Sequence, residues 1–65
     1  MSDALTDIRR DEEIRKVAQR LQDAILNGDR QWIADALAEL ETMPRGYFCG
    51  SGREVADWYR RKYGL

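Results

Sequence analysis

The residues best suited to chemistry in this chain cluster around its one cysteine, Cys49, and the chain has no histidine. Around Cys49 runs Gly46-Tyr47-Phe48-Cys49-Gly50-Ser51-Gly52-Arg53, a glycine-rich segment directly ahead of a helical pattern. Backbone N–H groups in such a loop, with a helix N-terminus and Arg53 beside them, are suited to hold a phosphate or a carboxylate. The pattern departs from nucleotide-binding loops, having no Gly-Lys-Ser/Thr and no strand in front. The expected role is a connector whose Ser51 caps the helix that follows.

A thiol near a helix N-terminus, with Arg45 and Arg53 close in sequence, could be a reactive thiolate. The partners such chemistry needs are missing. There is no histidine to act as base and no second cysteine to resolve an oxidised one, and a phosphatase-type site would need Arg at position 55, where the chain has Val. Cys49 is expected to be a small buried hydrophobe. Asp11, Glu12 and Glu13 adjoin in sequence with nothing to separate their acidities, so acid–base catalysis is not expected either. No catalytic residue, cofactor site or metal site is assigned.

The C-terminal stretch Trp58-Tyr59-Arg60-Arg61-Lys62-Tyr63 joins cations to aromatic rings, a combination that contacts either acidic protein surfaces or nucleic acid. Arg53, Arg60, Arg61 and Lys62 are the candidate partner-binding residues. The stretch from Arg53 through Leu65 resembles the leading helix and turn of a helix-turn-helix. A recognition helix after Leu65 is not expected, however, and residues 43–50 make a longer connection than that motif uses.

These residues must be positioned by helices. Leu5, Ile8, Ile14, Val17, Leu21, Ala24 and Ile25 recur at helical spacing from about Asp3 to Leu26, with charges on the other face. The stripe is most regular from Ile14 onward, which leaves room for a frayed first turn or a break near Arg10-Asp11. The charged residues from Arg9 to Arg20 are read as solvent-facing. Asn27-Gly28 ends this helix and Asp29 caps a second one running to about Thr42. There Trp32, Ile33, Ala36, Leu37, Leu40 and Met43 form the apolar face, and Asp35, Glu39 and Glu41 lie away from it. Pro44 stops the second helix. Tyr47 and Phe48 are expected to tuck under the helices. A third helix from Gly52 to Tyr63 would turn Val55, Trp58, Tyr59 and Tyr63 inward, and Gly64 ends it.

The resulting expectation is an all-α fold: one small three-helix domain over residues 1–65, a helical hairpin plus a C-terminal helix joined by a Gly-rich loop. Sixty-five residues support only a marginal core. A homodimer through Ile14, Val17, Leu21 and Ile25 is therefore a reasonable expectation. Net charge is −1 overall, but residues 1–44 carry −4 and residues 45–65 carry +3. A lone cysteine excludes an intramolecular disulfide. The start, Met-Ser-Asp-Ala-Leu, lacks the basic region of a secretory signal, and no apolar run reaches the ~20 residues of a membrane span. A cytoplasmic, non-enzymatic regulator or inhibitor that binds another protein is the expected function, with a DNA- or RNA-binding regulator as the alternative. The make-up is compatible with a protein carried by a phage or other mobile element.

Overall fold

The apolar stripes close into three helices: α1 (Asp3–Asn27), α2 (Arg30–Glu41) and α3 (Gly52–Tyr63). The computed structural model describes residues 3–65, the side chain of Asp3 excepted, so the first two residues, part of the start tested above for a secretory signal, lie outside it. The described residues contain no strand, and the fold is all-α. None of their helices is long and apolar enough to cross a membrane.

α1 is the spine. Its 25 residues span about 37 Å at the usual rise, most of the molecule's 42 Å length. It runs unbroken through Arg10-Asp11, where the sequence suggested a break. The reason is that Asp11 belongs to the inward stripe: Asp11, Ile14, Val17, Leu21 and Ala24 are all buried, at spacings of three and four residues. A carboxylate continues the stripe where an apolar residue would be expected.

A short turn reverses the chain after α1. Gly28 and Asp29 donate their N–H groups to the carbonyls of Ile25 and Ala24, at 3.1 and 3.2 Å. Gly28 takes the left-handed conformation at φ 69°, which is the glycine-ended helix stop of a Schellman motif. The Asp29 side chain then accepts the Trp32 N–H at 3.1 Å and caps α2.

α2 packs against both other helices and buries Ala36, Leu37 and Leu40, with Ile33 and Met43 partly buried beside them. Trp32, expected in the core, lies at its margin with 36% of its surface exposed. α3 docks on α2 through small residues. Gly52 and Ala56 are buried, and a Cβ on Gly52 would collide with the Leu40 carbonyl oxygen and the Met43 side chain. That close approach turns α3 away from the orientation the large residues suggested. Val55 and Tyr59 still pack on the core, but Trp58 and Tyr63 are 49% and 39% exposed.

Ile14, Val17 and Leu21, expected to mate with a second copy, are at most 3% exposed and packed within their own chain by α2 and α3. α1 therefore leaves no continuous apolar stripe for dimerisation through those residues.

Candidate functional site

The glycine-rich loop does hold an anion, and the anion is the chain's own. Asp11 is buried in α1, and its carboxylate accepts three successive backbone N–H groups: Tyr47 at 3.1 Å, Phe48 at 2.9 Å and Cys49 at 3.0 Å. Consecutive N–H groups converging in this way form an anion-binding nest. The Tyr47 N–H also reaches the Asp7 carbonyl one turn earlier on α1, at 3.3 Å, and the Gly46 N–H closes the loop onto the Gly50 carbonyl at 2.8 Å. Gly46 must lack a side chain, because a Cβ there would land on the Asp11 carboxylate.

Burial alone would raise the pKa of Asp11. The hydrogen bonds from Cys49 and Phe48, the nearby Cys49 thiol and the Tyr47 N–H outweigh it and hold the carboxyl below its ordinary value of 3.8. The expectation that charges from Arg9 to Arg20 all face solvent fails at this residue. The sequence carried one signal for it: Asp11 sits three residues before Ile14, in line with the buried stripe.

Tyr47 and Phe48, expected to tuck under the helices, do not. Their rings stand out, 57% and 69% exposed, in edge-to-face contact with centroids 4.7 Å apart. Cys49 is half-buried and packs against the core, in keeping with a small hydrophobe.

α3 starts on a capping box. Ser51 accepts the Glu54 N–H at 3.2 Å, and the Glu54 carboxylate accepts the Ser51 N–H at 2.9 Å. The Gly52 N–H donates to the Met43 carbonyl at 3.2 Å. Beyond the cap, the four candidate residues part company. Arg60 is turned to α2, 2.6 Å from Glu41, and also pairs with Asp57 at 3.3 Å. It fastens α3 to α2. Arg53, Arg61 and Lys62 are exposed and form no ion pair among the described residues.

The aromatic residues of α3 make one connected group. Trp58 meets Tyr59 edge to face at 4.9 Å, and Tyr59 stacks on Tyr63 at 5.9 Å. Burial and the adjacent Tyr63 push the Tyr59 hydroxyl above its ordinary 10, so this phenol stays neutral at physiological pH. The Lys62 ammonium lies 4.7 Å from the Trp58 ring centre and 5.5 Å from that of Tyr63. Beside Trp58 opens a groove of about 240 Å³, lined by Cys49, Glu54, Val55 and Trp58. A second groove of about 290 Å³ lies between α1 and the end of α2, lined by Thr6, Arg9, Arg10, Glu13, Met43 and Pro44. The charges on its rim are of both signs.

No protein-family model, curated protein or solved structure matches this chain.

Proposed function

We propose that this protein is a non-enzymatic regulator or inhibitor that acts by binding another protein through the outer face of α3. The observation that carries the reading is Trp58, half-exposed on a regular helix, with Lys62 over its ring and the exposed cations Arg53 and Arg61 on the same helix. Trp, Tyr and Arg dominate the energetic centres of protein interfaces, whereas lysine and arginine alone are ordinary solvated surface. A helix fixed at its start by a capping box and at its end by Arg60–Glu41 presents these groups with little ordering left to do.

The same rings and cations support a nucleic-acid reading, since bases stack on exposed aromatic rings. It ranks second because the cationic stretch is short and the chain as a whole carries a net charge of −1.

The test is affinity capture from the native host, comparing the parent chain with a Trp58→Ala variant and an Arg61→Glu/Lys62→Glu variant. A protein retained by the parent and lost by both variants supports the reading. Capture of nucleic acid alone, with an affinity that falls steeply between about 50 and 200 mM salt, contradicts it.

A further inference from the structure

The charges of α3 indicate what kind of partner fits. Both acidic side chains of the helix are already engaged: Glu54 by the Ser51 N–H and by Arg45 at 3.7 Å, and Asp57 by Arg60 at 3.3 Å. Among the described residues, Arg53, Arg61 and Lys62 have no acidic counterpart within the chain. Arg61 and Lys62 lie on the Trp58 side of α3, whereas Arg53, two and a half turns before Lys62, lies on the opposite side. From Glu54 to Lys62 the helix rises about 12 Å, the reach of roughly four extended residues. Within that reach lies the groove of about 240 Å³ beside Trp58, lined by Cys49, Glu54, Val55 and Trp58. It has room for one bulky side chain.

We propose that α3 receives a short acidic peptide segment of another protein, with one bulky apolar side chain in the groove lined by Cys49, Glu54, Val55 and Trp58 and flanking carboxylates on Arg61 and Lys62. The proposal rests on the protein-binding reading above and adds the chemistry of the occupant. The apolar anchor supplies the contact that is insensitive to salt, and the carboxylates supply orientation and speed of encounter.

The probe is a displayed library of random 12-residue peptides, selected on the folded full-length chain. Enriched peptides are then measured by anisotropy against the parent, Trp58→Ala, Arg61→Glu/Lys62→Glu, and a fluorescein-labelled 12-nucleotide single strand of mixed sequence. The expected result is enrichment of Asp and Glu around a single Leu, Phe or Trp. Affinity should fall at least tenfold in the double charge reversal, whose side chains are exposed and not needed for folding, and also in Trp58→Ala. Enriched peptides without acidic bias that still need Trp58 would overturn the proposed occupant and leave the protein-binding reading standing. Peptide binding untouched by either variant overturns the proposed site. No enrichment, with the labelled DNA bound instead, overturns both the occupant and the protein-binding reading. No enrichment together with self-association in sedimentation makes a second copy the occupant and overturns the peptide.

Discussion

Two connectors join the three helices, and they hold their shape by opposite means. Between α1 and α2 the chain turns through Asn27-Gly28-Asp29 using only bonds to near neighbours: the Gly28 and Asp29 N–H groups reach back to Ile25 and Ala24, and the Asp29 side chain reaches three residues ahead. Between α2 and α3 the loop is held from outside, by the Asp11 carboxylate 36 to 38 residues earlier in the chain. Each connector thus depends on an aspartate that accepts backbone N–H groups. Asp29 takes one from its own turn, and Asp11 takes three from another part of the molecule. The local connector reverses the chain. The long-range one ties the start of α3 to α1 and sets two aromatic rings in solvent.

This contrast predicts unequal consequences for similar substitutions. Asp11→Ala should lower the Tm more than any other change named here, because three buried or half-buried donors lose their acceptor together. A variant that melts with the parent would show that the loop is not held by this carboxylate. Gly46→Ala comes next: its Cβ meets the Asp11 carboxylate, and forcing the two apart should cost ~1–3 kcal/mol or more, measurable by urea unfolding. Gly28→Ala meets no atom within 4 Å, so only its left-handed backbone is penalised, at roughly 1–2 kcal/mol. If Gly28→Ala proved the costlier of the two, the contrast between the connectors would fail. Asp29→Ala removes one cap and should cost ~1 kcal/mol. Smallest of all, Phe48→Ser should shift stability by no more than about 0.5 kcal/mol, since its ring is exposed and its N–H is retained.

Acid sharpens the same contrast. The folded-state pKa of Asp11 lies below its ordinary value, so its stabilising effect is complete above that value and is lost as pH falls through the folded one. Stability should hold from neutrality to about pH 5 and then decline, and the Asp11→Ala variant should decline less steeply over that acid range. Thermal melts of the two proteins across pH check this; parallel curves would mean that Asp11 is not linked to folding.

The sequence legibility of the two connectors differs for the same physical reason. Asn-Gly-Asp encodes a helix stop, a left-handed residue and a cap within three positions, and α2 and α3 begin and end where their Asp29, Ser51 and Gly64 signals place them. Ser51 and Glu54 likewise carry the capping box in their spacing. Nothing within residues 44–50 reports that their N–H groups will meet a carboxylate in α1. The tucked positions expected for Tyr47 and Phe48 rest on hydrophobicity alone, and in the loop that Asp11 holds both rings face solvent while Cys49 packs inward. The face of α3 was misjudged in a related way. Trp58 and Tyr63 carry the largest apolar area, but close packing of Gly52 and Ala56 against α2 determines which side faces inward. Of the candidate binding residues, Arg53, Arg61 and Lys62 lie where helical periodicity puts them, at the surface. The engagement of Arg60 depends on Glu41 of α2, which only the folded arrangement brings near it.

Asp11 pins the loop that leads into α3, and amide hydrogen exchange at Tyr47, Phe48 and Cys49, read residue by residue by NMR in the parent and in Asp11→Ala, reports on that pin. These three amides should be protected in the parent despite lying outside any helix, and should lose that protection in the variant while the α1–α2 turn keeps its own. Exchange at unfolded-chain rates for all three in the parent would mean that the carboxylate does not hold the loop.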